Sequence, residues 1–92
     1  MTTKTFLFKI EDHLKNDADI LGFLQEVAET GDTSDFIHAL GTAARAKGMT
    51  QVAKKAGVTR ASLYKSLSED GHPQFETVNK VIDALGYKIA IV

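Results

Sequence analysis

Six basic side chains crowd one stretch of this chain: Arg45, Lys47, Lys54, Lys55, Arg60 and Lys65 fall between Gly41 and Ser68, which holds no acid. Residues 1–40 carry the opposite balance, three lysines against eight acids, so a formal net charge of -1 conceals charge sorted along the chain. Such sorting, rather than the total, reports a face that a polyanion would meet. Among the bases stand Thr50, Gln51, Thr59 and Ser62, whose hydroxyl and amide groups can donate to phosphate oxygens. The chemistry on offer is recognition of duplex nucleic acid. The plainer alternative is that these bases only solvate helix faces.

Other chemistry finds little support. His13, His38 and His72 fall in separate segments with no paired ligand spacing, so solvated or capping roles are expected, and His72 is placed to cap a following helix. The acids at Glu11-Asp12 and Asp17 to Asp19 sit where helix N-termini favour negative charge. With no cysteine there is no thiolate ligand, cysteine nucleophile or disulfide. No nucleophile motif, phosphate loop or cofactor box is present, and neither an enzyme nor a cofactor is expected.

The elements that must position the basic stretch can be read from periodicity. Thr50 is a candidate N-cap for a helix of about two turns with Val52, Ala53 and Ala56 facing inward. Gly57 supplies a tight turn, since glycine takes positive φ without steric cost. Thr59 then reads as the N-cap of a second helix, with Val58 and Leu63 spaced as a hydrophobic staple that sets the angle between the two. Leu63 and Leu67 anchor this second helix and leave Arg60, Ala61, Tyr64 and Lys65 outward. The pair predicts a helix-turn-helix over about 49–68.

In such a motif the N-terminal residues of the second helix read base edges in the major groove. Arg60 suits guanine, Ala61 suits a thymine methyl, and Tyr64 and Lys65 can reach bases or phosphates. Thr50, Gln51, Thr59 and Ser62 are assigned to phosphates, with Lys47, Lys54 and Lys55 adding sequence-independent attraction. Two short helices at a glycine turn are also an ordinary corner of a helical protein; the acid-free basic stretch over the same residues favours the DNA reading.

Around this motif, Asp17 is a candidate N-cap for a helix with Ile20, Leu21, Leu24, Val27 and Ala28 at helical spacing, ended by Gly31-Asp32. Phe36, Ile37, Leu40, Ala43 and Ala44 mark a helix that runs to about Ala46 and stops at Gly48. The only proline, Pro73, is placed to open a last helix bearing Phe75, Val78, Val81, Ile82 and Leu85, stopped by Gly86. Alternation at Thr5 to Ile10 and again over 87–92 predicts short terminal strands. Lone strands expose unpaired backbone, so these two should pair with each other or across a dimer through Phe6, Phe8, Ile89 and Ile91. The expected fold is mainly α, about five helices with short strands at both termini, in one domain over 1–92. No apolar run approaches the roughly 20 residues of a membrane helix and the start lacks a secretory signal, so a cytoplasmic protein is expected.

Thr50-Gln-Val-Ala-Lys-Lys-Ala-Gly-Val-Thr59 resembles the Cro/repressor-like (XRE-type) helix-turn-helix of phage repressors and related bacterial regulators. Further motifs extend the likeness: Asp17 to Leu24, the Gly31-Asp32 break, Ala39-Leu40-Gly41, Ala44 to Met49, Arg60 to Gly71 and Pro73 to Thr77. In this order they are similar to the probable addiction-module antidote proteins over roughly residues 10 to 87. The resemblance implies a lambda-repressor-like DNA-binding domain. It also implies an antitoxin that binds a RelE/ParE-type toxin encoded beside it and represses their shared promoter. Many antitoxins neutralise through a disordered tail; this chain reads as folded nearly to Val92, so a folded face, such as the acidic first helix and the N-terminal strand, would make the toxin contact. One helix-turn-helix touches few base pairs, so a homodimer on a double-stranded operator is expected. Two alternatives stay open: a phage-like or chromosomal repressor without a toxin, and a protein-interaction module that has lost DNA.

Overall fold

Three of the helices end at a glycine, Gly31, Gly48 or Gly57, and these ends together with the N-caps set much of the architecture. The computed structural model describes residues 10–68 and 70–91. A 3-10 turn at Ile10–His13 leads into five α-helices: α1 (Asp17–Thr30), α2 (Thr33–Lys47), α3 (Met49–Ala56), α4 (Arg60–Ser66) and α5 (Phe75–Ala84). The radius of gyration, 12.7 Å, is close to the roughly 12 Å expected of a compact chain of this length.

Asn16, rather than Asp17, caps α1: its side-chain oxygen accepts the Asp19 N–H at 2.9 Å. Both residue types cap well, so the sequence placed the cap one position late. At the start of α2 a reciprocal box forms. Asp32 accepts the Asp35 N–H at 2.9 Å and Asp35 accepts the Asp32 N–H at 3.1 Å. That satisfies two donors the helix would otherwise leave unpaired. The helix ends at Lys47 with Gly48 beyond it, close to the expected stop.

α2 is the central element, packed against the 3-10 turn, α1, α3 and α5. Leu40, Ala43 and Ala44 are fully buried along it, and the small side chains of Ala43 and Ala44 let neighbouring helices approach. Ile20 and Leu24 of α1, Val52 and Ala53 of α3, Leu63 of α4, and Val81 and Ile82 of α5 complete one core. Burying a side chain such as Leu or Val contributes roughly 1.5–3 kcal/mol each, so this cluster, not helix propensity, holds the short helices.

Several expectations are corrected. Leu21 and Ala28 stand on the exposed side of α1, because its buried face runs through Ile20 and Leu24 with Phe23 and Val27 half-buried. Phe75 is 70% exposed: as the first residue of α5 it projects beyond the packed stretch that begins at Val78. Pro73 does not open α5, whose N-cap is Gln74 without a side-chain bond, and His72 is exposed and caps nothing.

No β-strand forms among the described residues. The predicted N-terminal strand, with Phe6 and Phe8, lies outside them except for Ile10, which belongs to the 3-10 turn. The C-terminal segment through Ile91 runs without a ladder partner, and Ile89 and Ile91 are exposed. Its start is fastened to the helical body instead. The Tyr87 N–H donates to the Ile82 carbonyl at 3.0 Å, and the Tyr87 hydroxyl donates to the Asp17 carbonyl at 3.0 Å. Burial pushes the Tyr87 phenol above its ordinary value; the Asp17 carboxylate pushes in the same direction, and Lys47 opposes it.

Candidate nucleic-acid interface

The geometry of the basic stretch follows from one turn. At the end of α3 the Gly57 N–H donates to the Lys54 carbonyl at 3.2 Å and the Val58 N–H to the Ala53 carbonyl at 3.0 Å. This double closure requires a left-handed residue, and Gly57 has φ 76°. Thr59 then caps α4, its hydroxyl oxygen accepting the Ser62 N–H at 3.0 Å. Val58 packs half-buried on the core and Leu63 is 1% exposed, consistent with the staple spacing read from the sequence. With Leu63 and Leu67 buried beneath, the opposite side of α4 faces solvent.

Arg60, Ala61, Tyr64 and Lys65 are all exposed, as are Gln51, Lys54, Lys55, Thr59 and Ser62. Lys54, Lys55 and Lys65 make no ion pair among the described residues. No acid falls within α3 or α4, so nothing in either helix offsets this positive charge.

Two of the six bases are spent elsewhere. The Lys47 ammonium sits 2.6 Å from an Asp17 carboxylate oxygen, and Arg45 Nε sits 3.2 Å from Glu11 while its Nη2 donates to the Thr42 hydroxyl at 3.2 Å. These contacts bind the acidic N-terminal third to α2. They join residues 30 and 34 positions apart, which no local spacing reveals.

Thr50 departs from its expected role. α3 begins at Met49 with Gly48 as N-cap and no side-chain cap, so the Thr50 hydroxyl is free of that duty. It accepts a bond from Arg60 Nη1 at 3.4 Å. The Arg60 guanidinium also lies 5.5 Å from the centre of the Tyr64 ring. The sequence reading missed this trio as a unit; the i,i+4 spacing of Arg60 and Tyr64 was the available signal.

The fold also brings together two histidines that the sequence places in separate segments. His38 and His72 line a cleft of about 330 Å³ with Thr33, Ser34, Asp35 and Ser68. Among the described residues no three side chains of metal-binding type gather into a group that could hold an ion, and no helix is long and apolar enough to cross a membrane.

Residues 4–92 match the family described as "Probable addiction module antidote protein". The chain belongs to that family. It is similar to a protein of Haemophilus influenzae named only "Uncharacterized protein", with 37% identity over 91 residues covering 99% of this chain and 94% of that one. No solved structure matches. An addiction-module antidote is by its description the counterpart of a toxin, so the family implies a toxin partner in general terms.

Proposed function

We propose that this antidote-family chain is a DNA-binding antitoxin, an XRE-type helix-turn-helix repressor that autoregulates its operon and binds the toxin encoded beside it. The observation that carries the DNA part is the outward presentation of Arg60, Ala61, Tyr64 and Lys65 on a helix seated by Leu63 and Leu67, with Lys54 and Lys55 on the preceding helix making no ion pair among the described residues. In this reading α4 lies in the major groove. Arg60 reads a base edge, Ala61 approaches a thymine methyl, and Thr59, Ser62 and Gln51 donate to phosphates. The Thr59 oxygen already accepts a backbone N–H, which leaves its own proton to give.

The toxin, of RelE/ParE type in this proposal, would meet a folded acidic face. α1 carries Asp17, Asp19, Glu26 and Glu29 and no base, opposite in sign to α3 and α4. Separate faces of opposite charge allow one small protein to engage a polyanion and a basic protein without competition. The role is binding without catalysis, exercised in the cytoplasm where the operator is, by a homodimer on paired half-sites.

Two measurements test this. Affinity for duplex DNA, followed by fluorescence anisotropy across a salt series, should fall linearly on a log–log plot with a slope of roughly 0.9 per phosphate contacted. Duplex affinity absent at low salt would leave a protein-interaction module. Co-expression with the neighbouring open reading frame should yield a stable complex; DNA binding without that complex would leave a repressor that has no toxin.

A further inference from the structure

The base-reading role of Arg60 rests on the DNA-binding proposal above, but the three-residue arrangement around it says how the reading is done. Arginine is a long side chain with many rotamers, and a probe that must be frozen on binding loses affinity to that ordering. Here the guanidinium is already contacted from two helices. Thr50 of α3 accepts from Nη1 at 3.4 Å, and the Tyr64 ring of α4 lies beneath the group at 5.5 Å. All three residues are exposed, and Arg60 has no carboxylate partner among the described residues to draw it away.

The two contacts leave an edge open. Arginine has five N–H donors in a fixed fork; Nε and Nη2 of Arg60 make no hydrogen bond among the described residues. Two donors on one edge suit the paired acceptors O6 and N7 of guanine. We infer that Thr50 and Tyr64 are positioning residues that preset Arg60 for the major-groove edge of one guanine. In this reading Tyr64 acts through Arg60, one face of its ring being covered by the guanidinium. Thr50 likewise serves Arg60 before it serves a phosphate.

The test uses the full chain and a pool of duplexes randomised in sequence, from which the wild type selects a preferred site that is then varied one base pair at a time. Arg60→Ala should lose roughly 5- to 150-fold discrimination at one G·C pair. Tyr64→Ala should lose about 2- to 5-fold at that same pair and at no other, while Tyr64→Phe, which keeps the ring, should retain it. In the Arg60→Ala background Tyr64→Ala should add nothing, because the two act as one unit. In the free protein, side-chain protons of Arg60 should show an upfield ring-current shift by NMR that Tyr64→Ala abolishes. Relaxed preference at a different base pair, additive effects of the two substitutions, or no ring-current shift would overturn the inference while leaving DNA binding intact. A wild type that selects no sequence and binds no duplex at low salt would overturn the DNA-binding proposal and this inference together.

Discussion

At the scale of single residues, the basic stretch divides into side chains that are free and side chains that are committed. Lys54 is exposed and unpaired among the described residues, so Lys54→Ala should weaken every duplex similarly and reduce the salt slope by about 1, measured by anisotropy on preferred and random sequence. Lys47 is half-buried against Asp17, so Lys47→Ala should act first on the fold, costing no more than about 1 kcal/mol in urea unfolding, since Asp17 is largely exposed. Tyr87 gives a pH-dependent signature. Its folded pKa is raised above 10.0, so the stability it contributes is complete below that value and is lost as pH climbs through the folded pKa. Tyr87→Phe should therefore be less stable than the wild type by roughly 0.5–1.5 kcal/mol at neutral pH through loss of the Asp17 hydrogen bond. Urea titrations at increasing pH should show that difference shrinking above pH 10; a constant difference would show that Tyr87 ionisation does not matter.

At the scale of elements, what was legible in the sequence was what depends on neighbours a few residues apart. Gly57 as a turn, Thr59 as a cap, and Leu63 with Leu67 as anchors all follow from spacing, and the structure places them so. Gly57→Ala isolates the backbone requirement, because a Cβ there meets nothing within 4 Å and only the left-handed φ of 76° resists it. It should cost about 1 kcal/mol in thermal or urea unfolding, and correspondingly more if α4 is re-aimed. Gly71 presents the reverse case: a Cβ at that position would collide with the Ser66 carbonyl oxygen and stand 2.6 Å from that of Lys65. Gly71→Ala must push the loop off the end of α4, and a loss of duplex affinity larger than that of Gly57→Ala would mark α4 orientation as the sensitive quantity. Helix starts were less legible. Asn16 and Asp17 are both good caps, and Pro73 precedes its helix by two residues, because capping preference alone does not say where tertiary packing will let a helix begin. The exposure of Leu21 and Phe75 likewise depends on how far each helix extends past the core it packs on.

At the scale of the whole molecule, dimensions bear on assembly. The described residues measure 36 × 33 × 26 Å, and half-sites one turn apart on one face of DNA are separated by roughly 34 Å. Two copies so placed would be near enough to touch, so operator binding should be cooperative even for a chain that is monomeric in solution. Ile91 is 98% exposed and Ile89, close to it in sequence, is 45% exposed, so their segment offers one apolar surface on which that contact can be tested. Replacing both with Glu should abolish cooperativity in sedimentation with a two-site duplex while leaving single half-site affinity unchanged; unaltered cooperativity would move the contact elsewhere. The long-range pairs Arg45 with Glu11 and Lys47 with Asp17 belong to this scale too, and charge counting along the sequence was blind to them. One last consequence concerns trimming of the C-terminal tail. Tyr87 is the last of the described residues that hydrogen-bonds the helical body, and Lys88 beyond it adds only an exposed ion pair to Asp83 at 3.7 Å, so a carboxypeptidase that shortens the protein as far as Lys88 should loosen it little. One residue further, the cut that removes the phenol begins to unseat α1 and makes the remainder easier to digest.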